Sequence, residues 1–305
     1  MILYSHLVVA ANLSSFLGDD AWIDNPTIAS IHRGDFAPAD AARSYLWLIS
    51  SPALLWLHHL FTIAVTACFA AGFLTRITAP LTWWLQLMLV HRMTGTMFGF
   101  DQVTTMLAMY LMFAPSGSVF SIDALIRKRL SVEALTKFAW LFPAAQPSVA
   151  VNIATRLIQL HLCIVYLFGG LWKARGTAWW DGTAIWFAIS NAQYQSIEIT
   201  WIGRYPQLFS IFAHVTVFWE VFYIALIWPK LTRPIVLAIA FAIHSGIALF
   251  LGMITFGVIM IVANLAFIAP TFWMRRTHRE LSPELTHPAS VAEGKKHQVL
   301  RFKDA

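Results

Sequence analysis

Charge is what this sequence has least of. Asp, Glu, Lys and Arg make up 12% of its 305 residues, about half the share found in a soluble domain. With 58% of the residues hydrophobic, too little polar side chain remains to coat a globule of this size. That excludes a cytosolic enzyme, a secreted disulfide scaffold and a disordered chain. Cysteine is scarcer still. Cys68 and Cys163 both fall in apolar runs, with no CxxC and no Cys/His cluster. They read as buried thiols behaving as small hydrophobes, not as a redox pair or metal ligands. No basic face or nucleic-acid-binding motif accompanies the net charge of +6, so that charge does not point to nucleic acid. An internal repeat of the inverted-repeat transporter kind is also missing.

What the chain does have is long apolar runs and aromatic residues, 14 Trp and 23 Phe. A membrane-crossing helix needs about 20 mainly apolar residues. Seven segments meet that or come close: 52–74, 77–91, 102–114, 149–172, 206–228, 233–251 and 253–273. An eighth, 2–17, is short and ends at Gly18-Asp19-Asp20. It reads as a first helix, a cleaved signal peptide being the alternative, although it has no basic n-region and no small-residue cleavage site. The segment at 102–114 is either tilted or begins before Asp101. The expected fold is all-α: a polytopic membrane bundle of about eight transmembrane helices over residues 1–273. A basic, disordered cytoplasmic tail follows over 274–305.

With eight spans, fourteen of the Lys and Arg residues fall on one side, among them Arg76, Arg127, Lys128, Arg129 and those of the tail. Six fall on the other, with Arg156 inside a helix. The positive-inside rule then puts the richer side and both termini in the cytoplasm of a cell inner or plasma membrane. Two loops are long. Residues 115–148 carry Arg127-Lys128-Arg129 beside apolar residues and are expected along the inner leaflet, in contact with membrane lipids. Residues 174–205 face outward and interleave Trp179, Trp180, Trp186, Phe187, Tyr194 and Trp201 with Asp181 and Glu198. This loop is either an interfacial aromatic belt or a lid folded back on the bundle.

Ionisable side chains within a bilayer are costly, so each is a functional candidate. On the helix over 149–172, Gln159, Tyr166 and Lys173 are spaced by seven and share a face to within about 20° per step. Gly169 and Gly170 let a partner approach that face closely. His161 points about 140° away from Tyr166 and reads as a packed histidine. Glu220 and His244 fall near the middle of the following two spans, in a hydrocarbon core about 30 Å thick. These residues can line one outward-facing cavity. Burial in apolar surroundings disfavours an ammonium, so a lysine placed there can act as a general base. The alternatives are that Lys173 snorkels to headgroups and that Glu220 and His244 form a structural pair. His58 and His59 are adjacent on a helix and make poor joint metal ligands, so no metal site is expected.

The run Gln159-Leu-His-Leu-Cys-Ile-Val-Tyr166-Leu-Phe-Gly-Gly-Leu-Trp-Lys173, followed by Trp180-Asp-Gly-Thr-Ala184, resembles the HTTM domain. That domain is the membrane part of the vitamin K-dependent gamma-carboxylase family and its bacterial relatives. Further matches are Gly72-Phe-Leu-Thr-Arg76, Phe100-Asp101, the stretch Phe113-Ala-Pro-Ser-Gly-Ser-Val-Phe-Ser-Ile-Asp123, Ala242-Ile-His244-Ser-Gly and Gly252-Met-Ile-Thr-Phe256. The resemblance implies that Lys173 is the base coupling quinol oxidation to chemistry and that His244 is a second catalytic residue. It also implies a quinol such as menaquinol as cofactor. Gln159, Tyr166 and Glu220 are then the residues expected to shape the cofactor pocket. Two departures stand out: the helices end near Trp273 with no lumenal domain after them, and 92–101 has no Asn-His pair. The resemblance therefore points to a short bacterial type, a quinol-linked oxidoreductase or peptide-modifying enzyme whose partner is a secreted peptide. The alternative is a non-catalytic accessory protein for peptide maturation or export, or for lipid or quinone binding.

Overall fold

The computed structural model describes residues 1–32, 43–96, 98–144, 146 and 148–268. Among these the chain is helical, without strands. Nine helices carry the argument: α1 (Ile2–Ala11), α2 (Pro52–Ala70), α3 (Thr75–Arg92), α4 (Gly99–Phe113), α5 (Ile122–Arg129), α6 (Val149–Ala174), α7 (Pro206–Leu226), α8 (Arg233–Phe250) and α9 (Ile254–Asn264). They belong to a compact unit, Met1–Leu265. Of a second unit, Ala266–Ala305, residues 266–268 are described. The expected tail over 274–305 and the end of the last expected segment, 269–273, lie outside the described residues.

Four helices, α2, α6, α7 and α8, are long and apolar enough to cross a membrane, with mean hydropathies of 1.5 to 1.8. Their starts are written locally. Proline opens α2 and α7, where its missing N–H would be unpaired anyway. The Ser148 hydroxyl accepts the Val151 N–H at the head of α6. The 26 residues of α6 span about 39 Å, enough for a bilayer with tilt. Helix α3 has 18 residues but is too polar to join the four, and α4 has 15. Its start at Gly99 precedes Asp101, whose carboxylate accepts the Phe98 N–H at 3.1 Å.

The expected first helix over 2–17 is corrected. It breaks at Asn12 (φ −140°, ψ 45°) into α1 and a single turn, Leu13–Phe16. Ten residues reach about 15 Å, half the hydrocarbon core.

Many large apolar side chains face outward, and polar ones join the apolar core. On α6, Ile153, Leu157, Leu160, Ile164, Phe168 and Leu171 form an exposed stripe at helical spacing, while Gln159, Cys163, Tyr166 and Gly170 are buried opposite. That is the distribution of a chain solvated by lipid. Five of its core threonines are satisfied locally: Thr62, Thr66, Thr104, Thr105 and Thr216 each donate to a carbonyl one turn back.

Each of α1 to α3 packs on the next along the chain, as does α3 on α4 and α8 on α9, and α7 lies against α6 over the most extensive contact. Arg92 at the end of α3 is almost fully buried. Its guanidinium donates to the Ile23 carbonyl and Asn25 Oδ1 at 2.8 and 3.0 Å, tying the 18–25 turn to the bundle.

One junction explains two of the sequence motifs. Helix α2 stops at Gly72 (φ +69°), where Phe73 N–H reaches back to the Cys68 carbonyl. Leu74 then adopts φ +48°, costly for a branched residue. Asp123, from the start of α5, compensates: its carboxylate accepts Leu74 N–H at 2.7 Å, Thr75 N–H at 2.8 Å and the Thr75 hydroxyl at 2.8 Å. A Cβ on Gly72 would meet Ser121 Cβ at 2.4 Å. Gly72–Arg76 and Phe113–Asp123 are therefore two halves of one lock.

The basic loop forms α5 and a short helix, Val132–Lys137. Leu125, Val132 and Trp140 are exposed near Arg127-Lys128-Arg129. The aromatic loop folds back on α7. Trp180 packs edge-on against His214 and Phe218, and Trp186 against Phe209. Gly182 (φ +82°) leaves no room for a side chain, since a Cβ there would lie 2.6 Å from Ser210 Cα.

Candidate functional site

The site grows from the α6–α7 contact. Tyr166, Gly170 and Lys173 stand at i, i+4 and i+7 on α6, one above the other. Across from them α7 presents Trp219, Glu220 and Tyr223. The helices meet so closely at Gly170 that a Cβ would lie 2.8 Å from Val221 N and 2.9 Å from Glu220 Cβ. Helix α7 is tied to α8 by the Trp219 indole N–H, which donates to the Val236 carbonyl at 3.1 Å.

Two polar layers result. In the outer one, Lys173 Nζ donates to both oxygens of Glu220, at 2.8 and 2.6 Å. The lysine side chain is 27% exposed and the glutamate side chain 11%. The Trp179 ring lies 5.6 Å from the ammonium, within cation–π range. Lys173 is thus not the lone amine in apolar surroundings that the sequence suggests. It forms a unit of zero net charge with Glu220, the tolerable way to keep two ions among lipid-facing helices. Gly169 leaves a notch beside the pair, where a Cβ would approach Glu220 Oε2 to 3.4 Å and Lys173 Nζ to 3.7 Å.

The inner layer is closed. Tyr166 OH lies 2.8 Å from His244 Nε2. Asn264 Nδ2 donates to Tyr166 OH and to the Met260 carbonyl, both at 2.8 Å. The Tyr223 hydroxyl donates to Asn264 Oδ1 at 2.7 Å. Tyr166 oxygen accepts from Asn264 and shares one further hydrogen bond with His244 Nε2. His244 Nδ1 is buried and has no partner among the described residues. Aromatic rings enclose the layer: Tyr166 stands 4.8 Å from Trp219 and 4.3 Å from Tyr223, and His244 5.9 Å from Phe256. Gly257 permits this packing, as a Cβ there would meet the His244 carbonyl at 2.4 Å.

Four of the five residues singled out from the sequence, Lys173, Glu220, Tyr166 and His244, come together at these helix contacts. Gln159 does not join them. It accepts from Arg156 Nη1 at 3.0 Å, and seven residues of helix set it about 10 Å from Tyr166 along the axis. Asn264 and Tyr223 were missed. The available signals were a lone amide in an apolar run and a tyrosine three residues after Glu220, hence on its face. The other histidines serve packing: His161 Nδ1 meets Tyr110 OH at 2.8 Å, His58 meets Tyr45 OH at 2.7 Å and His59 meets the His6 carbonyl at 2.8 Å. Among the described residues no three His, Cys, Asp or Glu side chains are placed to hold a metal, and both cysteines are free thiols.

In the aromatic loop, outside the four long apolar helices, two carboxylates are held below their ordinary range. Asp181 accepts the hydroxyl and N–H of Thr183, and Glu198 those of Thr200. Both close local turns.

Compared with known protein families, curated proteins and solved structures, the chain matches none.

Proposed function

We propose that the chain is a polytopic membrane enzyme of the HTTM type, quinol-linked or peptide-modifying, in which Lys173 transfers the proton. The observation that carries this reading is the Lys173–Glu220 pair, an ion pair between two long apolar helices whose lysine side chain stays 27% exposed. A packing pair has no need of that exposure. Glu220 Oε1 and Oε2 hold the ammonium at two points and take up or return its proton. Lys173 Nζ, once freed of a proton, accepts one from a substrate at its exposed edge. Tyr166 and Asn264 hold the His244 ring in place.

A quinol such as menaquinol fits this donor set. The unpartnered, buried Nδ1 of His244 suits a quinone or quinol oxygen, and Tyr166, Trp219 and Phe256 offer flat apolar walls. Glu220 and Lys173 would meet the ring at their exposed edge, with the enclosed Tyr166–His244 layer behind them. When bound, such a group supplies two electrons and two protons. In this reading the seven segments after the first cross, the fourteen basic residues and the C-terminus face the cytoplasm, and the exposed edge of the Lys173–Glu220 pair faces outward toward a secreted peptide.

The rival is a non-catalytic accessory protein in which the same residues only pack helices. It is favoured by one observation: the Lys173 ammonium is already satisfied by both carboxylate oxygens. The test is to purify the protein in native lipids, identify bound quinones by mass spectrometry and measure quinol oxidation for wild type and Lys173→Ala. The expected result is a quinone with the wild type and oxidation lost in the variant. No quinone in the wild type, and equal rates in the two proteins, would sink the enzyme reading.

A further inference from the structure

A second polar cluster lies away from this site, where α1, α3 and α4 meet. Gln86 of α3 is completely buried. Neither its amide oxygen nor its amide nitrogen has a hydrogen-bond partner among the described residues. One turn earlier the Thr82 hydroxyl is in the same state. Next to Gln86 on α1 is His6, 1% exposed, with neither ring nitrogen partnered. The His6 ring stands 5.5 Å from that of His59, which bonds to the His6 carbonyl. Five buried polar atoms thus sit between apolar helices with no well-formed protein hydrogen bond, the one contact among them being that of His6 with Gln86. Natural interiors seldom leave such atoms unmade, because each forfeits its solvation.

Gln86 lines a cavity of about 30 Å³. Other polar groups reach the same space: Ser5 of α1, Thr96 of the α3–α4 turn and Asp101 of α4, with Val9 and Leu89 as apolar wall. The volume decides the occupant. One bound water requires about 10–15 Å³ by this measure and two to four polar partners.

We propose that this cavity is an internal water site holding one or two molecules, with Gln86 as its principal ligand. The water hydrogen-bonds the Gln86 amide and links it to the Asp101 carboxylate and to the Ser5 and Thr96 hydroxyls. Gln86 in turn stands beside His6. The water site therefore lies one side chain away from the buried imidazole pair and bridges Gln86 to a carboxylate at the α4 start, separate from the Lys173 site. Asp101 retains an oxygen for this role, since Oδ2 is the atom that accepts the Phe98 N–H.

Radiolytic footprinting of the full chain in ¹⁸O-labelled water tests this. Radicals formed from bound water oxidise adjacent side chains that bulk radicals do not reach. Val9 and Leu89 are 6% and 4% exposed, while Leu162 and Ile227, at 0%, serve as dry controls. The expected result is ¹⁸O incorporation at Val9 or Leu89 well above the controls, cut several-fold by Gln86→Leu. Labelling no faster than at Leu162 and Ile227 in the wild type overturns the proposal. If Gln86→Leu does not fold, Thr96→Val removes a second water partner and is expected to lower the labelling in its place. Unchanged labelling in whichever variant folds also overturns the assignment to this cavity.

Discussion

Removing one partner of the Lys173–Glu220 pair should cost different amounts depending on which is removed. Lys173→Ala strands a carboxylate whose side chain is 11% exposed. Breaking a buried pair in this way costs about 3–5 kcal/mol, because the remaining charge is uncompensated. Glu220→Ala strands an ammonium on a side chain that is 27% exposed, with a flexible stem that can turn toward headgroups and water. That exposure calls for a discount, leaving about 1–2 kcal/mol. The lysine deletion should therefore be the worse by roughly 2 kcal/mol. The double variant Lys173→Met with Glu220→Leu removes both charges and fills the space with apolar groups. It should lie within about 1 kcal/mol of wild type or above it, as buried ion pairs replaced by hydrophobes usually do. Equilibrium unfolding in mixed micelles, followed by Trp fluorescence, measures all three. Equal costs for the two single variants, or a double variant as unstable as Lys173→Ala, would refute the reasoning.

Asp123→Ala removes three hydrogen bonds that hold Leu74 and Thr75, and a loss of about 2–3 kcal/mol is expected in the same assay. Gly170→Ala places a methyl group against Val221 N and Glu220 Cβ. Helix α7 must shift, at a cost of about 1–3 kcal/mol, whereas Gly169→Ala folds normally and slows access of small acylating reagents to Lys173. The Asp181 and Glu198 turns depend on carboxylates held low by their threonines. Their contribution is therefore present above the ordinary carboxylate value of about 4 and is lost as pH falls through the lower folded value. Exchange protection of the Thr183 and Thr200 amides, measured against the intrinsic rate, should survive at pH 4 and disappear under stronger acid.

Most of the helix positions were legible from apolar runs. The long runs became α2, α6, α7 and α8 within a few residues, since length and composition alone define a span. The first segment misled because Asn12 sits among apolar neighbours in a run whose average hydrophobicity hides a single break. At the site, treating each ionisable residue in an apolar helix as a candidate picked out Lys173, Glu220 and His244. It passed over Asn264 and Tyr223, which are neutral and so were not counted as costly. Gln159 was drawn in by its seven-residue spacing. Same-face spacing says nothing of depth, and fourteen residues of helix put it about 21 Å from Lys173 along the axis. The ion pair itself was not legible, because contact between residues 173 and 220 depends on how α6 and α7 cross at Gly170.

The lock at Asp123 also imposes an order on synthesis. The Leu74 and Thr75 amides wait for a carboxylate 49 and 48 residues further along the chain. At about 5–20 residues per second, translation leaves the α2–α3 junction unclosed for roughly 2–10 s after it is made. During that interval Leu74 has no compensation for its left-handed backbone, so α2 and α3 are joined by a hinge. They become a fixed corner only when the start of α5 arrives. A ribosome stalled between residues 76 and 123 would leave the corner open, and a protease directed at the 71–75 turn would read that state directly.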